Sequence, residues 1–377
     1  GIDIDWKEVF KFYKELNCPP TVYDPTELPI NKAAWFVLTS ERNTGKTTNL
    51  VLIMIILFLR YGCVSAYLRT TPSEITPKEM QNFFGVILAN NYIEKMTDGK
   101  YNGVRYWARY YRLVKWNEDG TREYESEPFI WVGCVIEHEH YKSVLNLPTC
   151  QMILYDEFIS KNYLDNCFVD LNQLHKTIGR KRKCIKTFLC ANTTNYYHDF
   201  FRELLIQEEV LQCKLNQSFI KKTPLGTCIY YKWVGDKDPE REDLNMEYYG
   251  FDNPLLKSIT GGDWSVKAYP HIEREEREVY DISHFIKFTE RYFQLELVYS
   301  ERLGLHVLVH RANEPKPDKQ VIIYTIEEIH DKRERYCFGW SKLDKKFWNL
   351  YNLNKWYYPE NDTGFSVESY VSRADKL

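Results

Sequence analysis

The sequence predicts an α/β fold, a mostly parallel sheet flanked by helices and followed by a smaller second domain, and three observations carry that expectation. A short apolar run at residues 35–38 passes through a polar loop into a long apolar run at 50–59, the layout strand, loop, helix. A second apolar run, at 151–155, stops at the acids Asp156 and Glu157. A third, at 185–190, ends through Ala191 in the polar residues 192–195. Strands alternating with helices in this way build α/β sheets.

The first loop reads Ser40, Glu41, Arg42, Asn43, Thr44, Gly45, Lys46, Thr47, Thr48. A phosphate-binding loop needs a backbone curled so that successive N–H groups point at the β-phosphate, a Lys that reaches the β/γ-oxygens, and a hydroxyl for Mg²⁺. Gly45 supplies the last turn, Lys46 the charge and Thr47 the hydroxyl, at the entrance of a helix whose positive end also faces phosphate. The pattern G-x-x-x-x-G-K-[ST] fails at its first position, where Ser40 stands for Gly. In the second run, Asp156 is placed to hold Mg²⁺ through water beside Thr47, and Glu157 to polarise the attacking water. The bland alternative for that pair is a buried strand ending in solvated acids. Loop and acids together make ATP hydrolysis the leading reading.

Composition bounds the rest. The 377 residues are 44% hydrophobic and 16% aromatic, enough for a sizeable core in two or three domains. A formal charge of −3 excludes a uniformly basic protein, so any nucleic-acid contact must use local patches. Ten cysteines lie between Cys18 and Cys337 with no C-x-x-C pair, which suggests neither a zinc ribbon nor a redox motif, and reduced thiols are the plain reading. The run at 50–59 is too short to span a bilayer, and the expectation is a soluble, intracellular protein.

Ahead of the loop, Trp6, Val9, Phe10, Tyr13 and Leu16 fall at helical spacing, and residues 21–32 form an extended approach to the first strand. Tyr23 there is either a packed Tyr or an adenine platform. Residues 63–69 form a second core strand, with Arg69 at its exit either in a surface salt bridge or sensing phosphate or DNA. Residues 77–96 predict a helix. Residues 104–116 and 122–136, rich in Tyr, Trp, Val and Ile and joined at 117–120, predict a β-hairpin insertion at about 100–137. His138 and His140 lie on one face if the strand continues, which permits a metal site with Glu137 and Glu139. After the acids, Arg180, Lys181, Arg182 and Lys183 precede the third core strand, at whose end Asn192 or Thr193 is placed to hydrogen-bond the attacking water or the phosphate. Three readings of the basic cluster stay open: an arginine finger into a neighbouring subunit, a phosphate contact to nucleic acid, or a solvated turn.

The loop at 40–48, the strand ending Tyr155, Asp156, Glu157, and the segment Ala191, Asn192, Thr193, Thr194 resemble the Walker A, Walker B and coupling motifs of large terminase subunits, the DNA-packaging motors of tailed phages. Chain length, the Tyr-rich composition and the segment Tyr67, Leu68, Arg69, Thr70, Thr71 are most similar to the short packaging ATPases of the small podoviruses, the Picovirinae. The resemblance covers about residues 35–200. It implies a P-loop NTPase core of the ASCE type, assembled as a homo-oligomeric ring, commonly a pentamer, at the portal of an empty procapsid in the host cytoplasm, driving double-stranded DNA inward. It implies ATP and Mg²⁺ as cofactors, bound by Lys46 and Thr47 within a loop running from Ser40 to Thr48. It further implies Arg42 as the loop Arg, Glu157 as catalytic base and Asn192 as coupling residue, with Arg180 or Arg182 as the trans-acting finger. A structural packaging RNA is an open partner.

Past residue 203 the character shifts. The expected organisation is an ATPase domain at 1–203, a linker subdomain at 204–282 and a C-terminal domain at 283–377. Basic positions such as Lys214, Lys221 and Lys222 precede a strand-like run at 227–234, and residues 272–279 suggest an acidic helical connector. Apolar segments at 292–299, 305–311 and 320–326 follow, the first two joined in hairpin fashion. By resemblance this is the place of an RNase H-like nuclease domain. A two-metal nuclease needs clustered carboxylates, beginning on its first strand. Glu296 is the one acid in the run at 292–299, with Glu327, Glu328 and Asp344 beyond it, so a vestigial domain without cleavage is expected. Lys345, Lys346 and Lys355 with Trp348, Tyr351, Trp356, Tyr357 and Tyr358 either grip DNA or RNA or form an aromatic core. A helicase-like or transposition ATPase, and a nucleotide-binding module with a degenerate loop, are the rival readings.

Overall fold

A computed structural model describes residues 2–20, 22–40, 44–159, 166–180, 182, 184–192, 199–235, 277–337, 345–353, 355–359 and 361–374. They divide into two compact units, the first holding the described residues up to 235 and the second those from 277 onward.

The first unit is organised on a nine-stranded sheet. Helix α1 (Trp6–Glu15) starts at Asp5, whose carboxylate accepts from the N–H groups of Lys7 and Glu8, and it buries Trp6, Val9 and Tyr13 at the predicted spacing. Strand β1 (Trp35–Ser40) leads to α2 (Lys46–Tyr61), which is apolar nearly all round and buried from Asn49 through Leu57. It ends at Gly62, where φ of 68° suits a residue without Cβ. Strand β2 (Ser65–Arg69) follows.

The helix predicted at 77–96 is three short ones, α3 (Pro77–Asn82), α4 (Gly85–Ala89) and α5 (Tyr92–Met96). The first break lets two adjacent rings turn inward, Phe83 onto Tyr67 at 4.6 Å and Phe84 onto Tyr111 at 4.7 Å. The predicted hairpin is a three-stranded meander, β3 (Gly103–Trp107), β4 (Tyr110–Trp116) and β5 (Arg122–Cys134). Its additional turn is Ala108 and Arg109, both at positive φ, which no Gly or Asn announces. Because β5 also pairs in parallel with β2, the meander continues the main sheet.

The unit closes with α6 (His138–Tyr141), β6 (Met152–Asp156), α7 (Cys167–Gly179), β7 (Lys186–Asn192), α8 (Asp199–Glu203), α9 (Gln207–Gln212), β8 (Ser218–Lys222) and β9 (Cys228–Val234). The order is β3-β4-β5-β2-β6-β7-β1-β9-β8, with every pair from β5 to β9 parallel. The expected boundary at residue 203 therefore misses the end of the sheet. Strand β9 pairs with β1 along its whole length and β8 pairs with β9, so the described part of the expected linker subdomain up to 235 belongs to the first unit. Tyr23 is fully buried in the core, so no base can stack on its ring. Among the described residues no helix is long and apolar enough to cross a membrane.

The second unit is a six-stranded sheet of β10 (Glu278–Phe288), β11 (Arg291–Ser300), β12 (Gly304–Ala312), β13 (Ile322–Thr325), β14 (Glu334–Tyr336) and β15 (Trp356–Tyr357), ordered β14-β13-β10-β11-β12-β15. Strands β10, β11 and β12 are antiparallel, and β13 lies parallel to β10. Residues 278 and 279, expected to end a helical connector, begin β10 instead, because the alternation from Val279 onward finds a partner in β11. The helix Lys345–Asn352 turns Phe347 and Leu350 inward, and Trp356 and Tyr358 are buried, so much of the aromatic end is core. Trp356 donates its ring N–H to the Phe347 carbonyl at 3.0 Å.

Candidate nucleotide site

Strands β1, β6 and β7 run in parallel and end together. Ser40 is in register with Asn192, and Asp156 with Cys190, so the polar residues that close each apolar run meet at one edge of the sheet. In open α/β sheets that carboxyl edge is where ligands bind. Strand β7 lies between β1 and β6, which places Asn192 between the loop lysine and the acids.

The loop closes on itself through side chains. The Ser40 hydroxyl lies 3.0 Å from that of Thr44, so the Ser in the first Gly position is tied to the residue before Gly45. Gly45 has φ of +80°, and a Cβ there would meet Asn49 at 3.0 Å and Val22 at 3.1 Å, two reasons for Gly. The Thr44 carbonyl accepts from the Tyr23 N–H, and the Gly45 carbonyl from the Asn49 amide at 2.6 Å. Tyr13 in turn donates to the Asn49 side chain at 2.6 Å. Helix α2 begins at Lys46 and points its N-terminus at this edge. Thr48 lies in its first turn.

Five side chains converge beyond the loop. Lys46 donates to Asn192 Oδ1 at 2.7 Å, and Asn192 donates to Glu157 Oε1 at 3.0 Å. Thr47 donates to Asp156 Oδ1 at 3.0 Å. Glu157 sits at φ of 55°, a left-handed conformation that costs a non-Gly residue of order 1 kcal/mol and here turns its chain toward Asn192. Lys46 is 5% exposed, and burial pulls its ammonium below the usual lysine range against the opposing pull of Cys190, Asp156 and Glu157. Its hydrogen bond goes to a neutral amide, and among the described residues it forms no ion pair. A buried cation so placed favours an anionic ligand, and the hydroxyl and carboxylate of Thr47 and Asp156 are the hard oxygen donors that Mg²⁺ takes. The residues present fit a nucleotide with its metal.

Other expectations land elsewhere. Arg42, Asn43, Thr193, Lys181, Lys183 and Asp344 lie outside the described residues. Arg180 and Arg182 precede β7 and so stand at the opposite edge of the sheet, about 20 Å from the chain's own site by strand length. Arg182 is taken up within the chain: it donates to the carbonyls of Leu147, Pro148, Cys150, Ile178 and Gly179. Within the chain it ties the end of α7 to the approach to β6. Arg180 donates to the Leu145 carbonyl at 2.9 Å and is otherwise exposed. His138 faces Asp170 at 3.1 Å, and among the described residues no group of three or more ligating side chains could hold a metal. Glu296 lies on the second strand of its sheet, 3.1 Å from His310, and Glu327 accepts from the Thr289 N–H. Sequence reasoning missed Asn49, whose signal is a lone amide in an apolar helix, and Tyr67, which looks like any strand aromatic.

The solved packaging-motor assembly of bacteriophage Phi-29 matches 94% of this chain and 99% of its own at a TM-score of 0.57 and 15% identity. The fold is that of a phage packaging motor. The Phi-28 gp11 DNA-packaging motor matches 94% of this chain and 98% of its own at 0.48 and 17% identity, and the large terminase ATPase domain of Thermus phage P74-26 matches 67% and 97% at 0.41 and 14%. No protein-family profile matches the sequence, and no curated protein does.

Proposed function

We propose that the protein is an ATPase that drives double-stranded viral DNA into a preformed procapsid. The observation that carries this reading is the convergence of Lys46, Thr47, Asp156, Glu157 and Asn192 at one sheet edge, in a fold shared over nearly its whole length with a viral genome packaging motor. Lys46 binds the β/γ-phosphates, with Ser40, Arg42, Asn43, Thr44, Gly45 and Thr48 completing the cradle. Thr47 and Asp156 hold Mg²⁺, whose chemistry when bound is to neutralise developing phosphate charge. Glu157 takes a proton from the attacking water, and Asn192, bonded to Lys46 and Glu157, exchanges these partners as the γ-phosphate comes and goes, which couples chemistry to movement.

The protein works as a ring, a pentamer in this reading, at the portal in the host cytoplasm, and a structural RNA is a further partner. Arg180, exposed and with donors to spare, is the finger that completes a neighbour's site. The second unit is an RNase H-like domain that grips DNA without cutting it. Support for that comes from its central β10, flanked by antiparallel β11 and β12 on one side and parallel β13 and β14 on the other, and from the pairing of Glu296 with His310.

The test is nuclease protection of viral DNA by procapsids supplied with ATP. Wild type protects DNA and Lys46→Ala protects none; equal protection by both overturns the site. DNA-stimulated turnover that never depends on procapsids would favour a helicase-like ATPase.

A further inference from the structure

We infer that Tyr67 is a positioning residue for the metal-binding carboxylate, fixing Asp156 in the orientation that a nucleotide-bound Mg²⁺ requires; the inference rests on the nucleotide-site reading above. Strands β2 and β6 are parallel neighbours with Tyr67 in register with Leu154, two residues short of Asp156. The phenol spans that offset and donates to Asp156 Oδ2 at 2.9 Å. The other oxygen, Oδ1, accepts from the Thr47 hydroxyl at 3.0 Å and from the Glu157 N–H at 3.1 Å. Three donors, one from α2, one from β2 and one from the backbone just after β6, therefore set the plane of one carboxylate.

Tyr67 itself has little freedom. It is 1% exposed, and its ring lies 4.6 Å from that of Phe83. The Arg69 guanidinium, held by Glu74 at 3.0 Å, stands beside the phenol oxygen. Thr47 serves the metal through its own oxygen, which leaves Tyr67 as the side-chain donor that acts on Asp156 alone. Without it, Oδ2 of a carboxylate 8% exposed loses its partner, and the group turns to find another. Loss of such an outer hydrogen bond to a metal-binding carboxylate lowers metal affinity about 10- to 100-fold.

The experiment is binding of a fluorescent ATP analogue to the full chain, titrated with Mg²⁺ and repeated in EDTA, for wild type, Tyr67→Phe, Asp156→Asn and the double variant. Phe keeps the ring and its packing and removes one oxygen. The expected result is a Mg²⁺ midpoint about 10- to 100-fold higher for Tyr67→Phe, magnesium-free affinity within about twofold of wild type, and no further shift when Tyr67→Phe is added to Asp156→Asn. An unshifted midpoint, or an equal further shift in the Asp156→Asn background, overturns the role of Tyr67, the second because a general loosening of the core acts without Asp156. Wild type that binds the analogue with no magnesium dependence overturns the nucleotide-site reading instead.

Discussion

The two sheets treat charge in opposite ways. At the carboxyl edge of the nine-stranded sheet, Lys46, Asp156 and Glu157 gather within one hydrogen-bonded group, yet the buried ammonium bonds to an amide rather than to either acid. Among the described residues of the six-stranded unit, charges cancel in pairs, Glu334 with Lys287 at 3.2 Å, Asp331 with Arg333 at 2.7 Å and Asp281 with Lys346. Matched pairs hold a fold together, whereas a buried charge left without a counter-ion is costly to the fold and marks a place kept for a ligand. Arg182 sharpens the contrast inside the first unit, since its donors are spent on five carbonyls while Lys46 is held in reserve.

The largest structural effect is expected at that spent cation. Arg182→Ala leaves several partly buried carbonyls without a donor and should lower unfolding free energy by about 3 kcal/mol in denaturant titrations. Arg180→Ala loses a single bond, to Leu145, and should cost about 1 kcal/mol or less while lowering ATP turnover. A reversed pattern, with Arg182→Ala folded normally but inactive, would restore Arg182 as the catalytic arginine.

A smaller effect separates the units by pH. Burial raises the Asp281 carboxyl, but Lys346, the Ser283 hydroxyl and N–H, and His284 outweigh it and hold the group well below the usual carboxylate range. A depressed carboxylate contributes stability above its unfolded value, about 3.9, and that contribution fades as pH falls toward the folded value. Thermal melts of the full chain should therefore show the second unit weakening below about pH 4, with the decline shallower in Lys346→Met. An identical acid profile for Lys346→Met would show that the pair does not matter to that unit.

Legibility in the sequence followed the same division. Asp156, Glu157 and Asn192 stand where apolar runs stop, Lys46 and Thr47 stand in the loop between two such runs, and parallel strands that end together must bring such residues to one edge. The supporting residues gave no such sign. Tyr13, Asn49 and Tyr67 sit inside helices or strands, and only the register of β2 on β6 and the packing of α1 on α2 turn them toward the loop and Asp156. The turns at Ala108-Arg109 and Thr289-Glu290 adopt positive φ with no Gly or Asn, so the third strand of the meander was hidden. The break expected at 203 followed composition, which does not reveal that β9 completes the sheet beside β1.

Glu157, turned toward Asn192 at the end of β6, is the residue we propose as the base for ATP hydrolysis. Steady-state turnover of wild type and Glu157→Gln, with binding of the fluorescent analogue measured on the same preparations, tests it most directly. Turnover of Glu157→Gln should fall by about 10²- to 10⁴-fold with analogue affinity retained. Equal turnover in the two proteins would contradict it and place the chemistry on other residues.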